Sequence, residues 1–147
     1  MSSQTDTLSD RRRIAAHCKA ALAGRRVLVA DDEDTFRQTV SDSLSPCGCQ
    51  VDMAADGREA CELVSGNRYD LVISDIAMPG ATGYDVFTAA KAAHGDTQVI
   101  LMTSLSYDSN HSIVKSREKG LAGVLLKPFD VGDLLAQCSL ALAGAHR

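Results

Sequence analysis

A chain of 147 residues has the length of one domain, and with 45% hydrophobic residues it can bury a core without staples. Its formal charge of −4 offers no general attraction to nucleic acid or to an anionic membrane, although Arg11, Arg12, Arg13, Arg25 and Arg26 gather near the start. No run approaches the roughly 20 apolar residues that a membrane-spanning helix needs. Residues 1–10 are polar and acidic with no apolar stretch of the kind a secretory leader carries, so a cytoplasmic location is expected.

Residues 1–24 read as an N-terminal extension, a linker or a helix, ahead of a domain over 25–147. Ile14, Ala15, Cys18, Ala21 and Leu22 form a weak helical stripe, and Gly24 stands where a helix C′ glycine would. From Arg25 onward, short apolar runs at 27–30, 51–55, 71–74, 99–103 and 123–126 predict strands. Between and after them, helical spacing predicts helices. The first covers about 35–44, with Phe36, Val40 and Leu44 on one face. The second opens on Asp56-Gly57-Arg58-Glu59, which has the pattern of a capping box, and carries Ala60, Leu63 and Val64. The third, fourth and fifth cover about 83–93, 109–119 and 131–143, with Asp108 and Asp130 as N-caps for the last two. Strands apolar on both faces and alternating with helices predict a doubly wound α/β domain around a five-stranded parallel sheet.

Five cysteines are an odd number, and Cys47 and Cys49 stand as C-x-C rather than the C-x-x-C of zinc or redox sites. They are expected to be reduced thiols, with Cys47, Cys49 and Tyr107 as exposed loop positions. His17, His94, His111 and His146 show no ligand spacing.

In doubly wound folds the chemistry lies at the carboxyl ends of the strands. The first run ends on Asp31 and Asp32, the third on Asp75, the fourth on Thr103 and Ser104, and the fifth on Lys127. The fold therefore gathers three carboxylates, a hydroxyl and an ammonium at one edge. Carboxylates this close repel one another, and a hard divalent cation such as Mg²⁺ relieves them while keeping room for waters and a phosphate. With no Ser–His pair and no Gly-rich phosphate loop at these positions, a carboxylate is the candidate nucleophile. Phosphoryl transfer asks mainly for positioning and charge neutralisation, which this set supplies. The plainer alternatives are that Asp31 and Asp32 are acids favoured at a helix N-terminus and that 75–80 is a simple Pro-Gly turn. The matching strand ends weigh against the first; the second is compatible with function.

Val27-Leu28-Val29-Ala30-Asp31-Asp32-Glu33, Asp75-Ile76-Ala77-Met78-Pro79 with Gly83, Thr103, and Lys127-Pro128-Phe129 occur in this order, each closing its own predicted strand. Together they resemble the receiver domain of two-component response regulators, from about residue 25 to 143. The resemblance implies the flavodoxin-like (βα)5 fold with strand order 2-1-3-4-5, here with an extra N-terminal helix. It implies Asp75 as phospho-acceptor, Asp32 as a direct Mg²⁺ ligand, Asp31 as a neighbour acting largely through water, and the Ala77 carbonyl as a further ligand. It also implies Thr103 as switch hydroxyl, Lys127 as the phosphoryl-pairing lysine, and a cis Lys127–Pro128 bond. The chain would then not be a turnover enzyme: it would promote its own phosphorylation and dephosphorylation. Its donor would be a sensor histidine kinase or a histidine phosphotransfer protein. An effector would read the face made by the fourth helix, fifth strand and fifth helix of the repeat. Nucleic acid is not an expected direct partner, and a homodimer is compatible with the fold. Val124 stands where the family often has an aromatic residue, so an aromatic switch there is absent, and the stretch 104–119 is slightly long. Two other function classes stay open: a degenerate receiver that binds partners without phosphorylation, and a Mg²⁺ phosphohydrolase, which would want an acid where Ala77 stands.

Overall fold

The structure, a computed structural model, describes residues 8–104 and 120–144. Within them the elements run α1 (Leu8–Leu22), β1 (Arg26–Ala30), α2 (Asp34–Leu44), a 3-10 turn (Ser45–Cys47), β2 (Gln50–Ala54), α3 (Gly57–Gly66), β3 (Leu71–Asp75), α4 (Gly83–Ala93), β4 (Gln98–Ser104), β5 (Gly123–Lys127) and α5 (Val131–Gly144). All strand pairings are parallel and the order is β2-β1-β3-β4-β5, as the resemblance implied. The predicted fourth helix at 109–119, its cap Asp108 and Tyr107 lie outside the described residues. Among the described residues no helix is long and apolar enough to cross a membrane.

Alternation along each strand splits the core in two. Val27, Val29, Leu71, Ile73, Ile100, Met102 and Leu125 face one side, where they pack with Val40 and Leu44 of α2 and Leu134, Cys138 and Leu142 of α5. Leu28, Ala30, Val72, Val99 and Leu101 face the other, against Ala60 and Val64 of α3 and Val86, Phe87 and Ala90 of α4. β3 is buried along its whole length, whereas β2 is an edge strand with Gln50 and Met53 exposed and Asp52 inside the run.

Local chemistry sets the helix ends. Asp56 Oδ1 accepts the Glu59 N–H at 2.8 Å, but Glu59 Oε1 reaches past the cap to the Ala55 N–H, so the reciprocal arm of the predicted box is displaced by one residue. A full capping box forms at Thr82 and Asp85 instead, opening α4. Asp130 Oδ1 accepts the Asp133 N–H at 2.8 Å, as expected of an N-cap.

The N-terminal stripe is a helix, α1, and Gly24 closes it with φ of 75°. This helix packs on α5 and on the 3-10 turn, burying Cys18 and Leu22. The expectation of exposed Cys47 and Cys49 is corrected here. Cys47 is buried in the 3-10 turn and Cys49 is half-buried with its thiol against the Leu44 carbonyl, because α1 packs over the turn that a sequence reading takes for a surface loop and both thiols join the core shared with α5. The Cys138 thiol, buried beneath them, is pushed up to about 12 by burial first and then by the neighbouring Cys49, Cys47 and Cys18. Such thiols are inert packing groups at neutral pH.

Candidate functional site

β1 and β3 are neighbours, while β2 lies on the outer side of β1 and β4 on the outer side of β3. The chain therefore turns in opposite directions after β1 and β3, which opens a crevice at their carboxyl ends. Ala30 pairs with Ser74, so Asp31 and Asp75, one residue further on each strand, stand side by side. One carboxylate oxygen from each of Asp31, Asp32 and Asp75 lies within 4.8 Å of the others. At that spacing a pair of unit charges repels by roughly 3 kcal/mol at an effective dielectric of about 20.

The three acids differ in what they already hold. Asp31 is fully buried; its Oδ1 accepts the Glu33 N–H at 2.9 Å and its Oδ2 accepts from Lys127 Nζ at 2.8 Å. Asp75 is nearly buried and shares the same ammonium, at 3.3 Å. Asp32 is exposed and, among the described residues, has no hydrogen-bond or ion-pair partner. Burial holds the Asp75 carboxyl above the ordinary carboxylate value; Lys127 pulls it back and Asp31 pushes it up again. Burial also works to lower the Lys127 ammonium, but hydrogen bonds and charge from Asp31, then Asp75, more than offset it and hold it above its ordinary value.

Backbone and neighbours fix this arrangement. Arg37, on the first turn of α2, donates to the Asp31 carbonyl at 2.7 Å and to Asp34 Oδ1 at 2.7 Å, tying down the loop from Asp31 to Asp34. Ile76 N–H bonds the Met102 carbonyl and Gly83 N–H bonds the Ile76 carbonyl, which folds the loop after β3 back over the crevice. A Cβ on Gly83 would stand 2.5 Å from the Asp75 carbonyl oxygen, so only glycine allows that approach. Ala77, in this loop, is exposed. Thr103, at the end of β4, is 1% exposed, and among the described residues its hydroxyl has only a long 3.4 Å contact with the Ser104 carbonyl. Ser104 pairs with Lys127 across β4 and β5, which sets the lysine beside the crevice. The Lys127–Pro128 bond is cis.

The residues at the predicted strand ends thus meet at one edge. Two neighbours were not singled out as site residues: Arg37, and Phe36, whose ring centroid lies 4.2 Å from Lys127 Nζ. Phe36 was read only as part of an apolar helix face. The signal in hand was its position four residues after Asp32, on the first turn facing the crevice. Among the described residues, three negative groups against one ammonium, with an exposed carboxylate and a weakly engaged hydroxyl, suit a divalent cation and a phosphoryl group.

The profile of the response regulator receiver domain matches residues 27–139. Response regulator MprA of Mycolicibacterium vanbaalenii is 35% identical over 112 residues, 76% of this chain and 48% of the relative. The transcriptional regulatory protein PdtaR of Mycobacterium tuberculosis is 33% identical over 124 residues, 84% of this chain and 59% of the relative. The chain therefore spans about half the length of the curated relatives it matches. Among solved structures, chemotaxis protein CheY4 of Vibrio cholerae superposes with a TM-score of 0.72 at 32% identity, covering 81% of this chain and 99% of that one. Response regulator protein TrrA of Thermotoga maritima, in complex with Mg²⁺-BeF, gives 0.67 at 32% identity, covering 77% and 95%.

Proposed function

This chain belongs to the response regulator receiver domain family, and on that premise we propose that it is a phospho-accepting module whose acceptor is Asp75. A carboxylate oxygen of Asp75 attacks the phosphorus of a phosphohistidine; the P–N bond breaks as the P–O bond forms, and the imidazole leaves and takes up a proton. The observation that carries this reading is the meeting of Asp31, Asp32, Asp75 and Lys127 at the crevice.

The donor set fits Mg²⁺: oxygens only, clustered, and short of positive charge. Asp32 would hold it directly, since its oxygens are uncommitted, together with Asp75 and the Ala77 carbonyl. Asp31, with both oxygens engaged, would act largely through water. The ion, when bound, would neutralise charge on the transferring group. Lys127 turns its ammonium from Asp31 toward the phosphoryl oxygens, and Thr103, whose hydroxyl is barely engaged, donates to them. Both shifts pull on the ends of β4 and β5, biasing an equilibrium that exists beforehand. The effector face of the fourth and fifth repeats reads that bias, although its helix at 109–119 lies outside the described residues.

The receiver proper is assigned to residues 25–147, with 1–24 as an extension. The protein acts in the cytoplasm, and its donor is a sensor histidine kinase or a histidine phosphotransfer protein. The module is consumed and regenerated rather than turning over a substrate.

The test is intact mass spectrometry with acetyl phosphate. Wild type gains one phosphoryl group only with Mg²⁺, and Asp75→Asn gains none. A wild type that gains none would make this a degenerate receiver, and multiple turnover of acetyl phosphate without a stoichiometric adduct would make it a hydrolase.

A further inference from the structure

We infer that Phe36 is a positioning residue for Lys127, holding the ammonium over the crevice through the face of its ring; this rests on the reading of Asp75 and Lys127 given above. Among the described residues, Lys127 Nζ meets Asp31 Oδ2 at 2.8 Å, Asp75 Oδ2 at 3.3 Å and the Phe36 ring, whose centroid lies at 4.2 Å. The last is well inside the ~6 Å over which a ring quadrupole attracts a cation. The lysine side chain is only 16% exposed, so little water screens the contact.

The ring is itself held. Phe129, two residues beyond Lys127, meets it edge to face, with centroids 5.4 Å apart and planes at 84°. Phe36 belongs to the first turn of α2, the helix whose loop carries Asp31 and Asp32. One helix end therefore sets both the carboxylates and the surface on which the lysine rests.

A flexible four-carbon stem with a strongly hydrated head would otherwise sample solvent. A third carboxylate could also hold it, but would add repulsion to a crowded anionic site and compete for the cation. A neutral π face holds the ammonium without adding charge. It also leaves the head free to turn from Asp31 to an incoming phosphoryl oxygen, because the attraction depends little on rotation of the ammonium about its own axis.

The test places phenylalanine, then its mono-, di- and trifluoro analogues, site-specifically at position 36 of the full chain, with Phe36→Tyr and Phe36→Leu alongside. Fluorination drains the ring's negative face while leaving its shape nearly unchanged. The rate of adduct formation with acetyl phosphate at fixed Mg²⁺ should fall stepwise along the series, by roughly three- to thirtyfold in all. Phe36→Tyr should keep the rate and Phe36→Leu should lose it. In NMR spectra of the unphosphorylated protein, the Lys127 ε-methylene protons should be shifted upfield by the ring in wild type and Phe36→Tyr, and return to ordinary values in Phe36→Leu. A rate that drops for leucine but stays flat across the fluorinated series would make the ring a spacer and overturn the proposal. So would unshifted Lys127 methylenes in wild type. If wild type forms no adduct, the acceptor reading fails, while the methylene shifts still decide whether Phe36 holds Lys127.

Discussion

At the amino end of the sheet, Asp52 accepts from the Tyr69 hydroxyl at 2.7 Å and from the Arg26 guanidinium at 3.3 Å, while Asp70 accepts the Arg26 backbone N–H at 2.8 Å and faces Arg25 at 3.6 Å. At the carboxyl end, among the described residues, Asp31 and Asp75 share the ammonium of Lys127, and Asp32 has none. A cation lies over an aromatic ring at each end, Arg26 on Tyr69 and Lys127 on Phe36. The difference is in the count of partners. Where every acid has its own donors, a fixed guanidinium fork and a buried tyrosine lock the edge. Where acids outnumber cations, the surplus charge becomes a demand for a ligand. Residue types alone do not separate structure from function; the balance of donors and acceptors around them does.

The largest effect that would sharpen this contrast is expected from Lys127→Met. It leaves the buried Asp31 without its cation, and metal-free protein should lose about 3–5 kcal/mol in urea unfolding at neutral pH. Mg²⁺ should return part of it by linkage. A loss under about 1 kcal/mol would mean that the ammonium is not what balances the site.

Gly83→Ala comes next. The added methyl meets the Asp75 carbonyl and the Ile76 backbone, neither of which can yield without moving Asp75. A cost of about 1–3 kcal/mol is expected, with a larger fall in phosphorylation rate than any stability loss explains. Gly66→Ala, where nothing lies within 4 Å, serves as control and should not destabilise.

At the amino end, Tyr69→Phe removes a hydrogen bond to a carboxylate beneath a ring that is 2% exposed. It should cost about 1–2 kcal/mol and leave the rate of phosphorylation unchanged. A change in rate would show that the two edges are coupled.

The smallest effect is one of sign. The Asp75 carboxyl is held above its ordinary value chiefly by burial. A carboxyl that binds its proton better in the folded chain favours folding at low pH, and turns into a penalty as pH climbs from the unfolded value through the folded one. Without metal, Asp75→Asn should therefore be more stable than wild type at neutral pH, with the gap closing as pH falls through the carboxylate range. Thermal unfolding at several pH values reads this, and an Asn variant less stable than wild type at neutral pH would contradict it.

The sheet and its site were legible because buried strands are apolar runs that end abruptly on polar residues: Ala30 to Asp31, Ile73 to Ser74 and Asp75, Met102 to Thr103. That boundary marks where the core stops and the crevice starts. What the sequence hid depends on contacts between distant segments. Cys47 and Cys49 flank a glycine after Ser45-Pro46 and look like a loop; only α1, packed over the turn, and the core shared with α5 bury Cys47 and half-bury Cys49. Asp31 and Asp32 are adjacent and chemically identical, yet one is saturated and the other free because the chain turns between them into α2. Phe36 satisfies a helical apolar pattern whether or not a lysine rests on it.

On the proposed function, the excess of acids at the carboxyl edge makes Asp75 the acceptor. Borohydride reduces an acyl phosphate of aspartate to homoserine and leaves free carboxylates untouched. After treatment with acetyl phosphate and Mg²⁺, peptide mapping of the reduced protein should find homoserine at position 75 and aspartate still at 31, 32, 52 and 70. Homoserine at 31 or 32, or at none of these positions, would contradict the account.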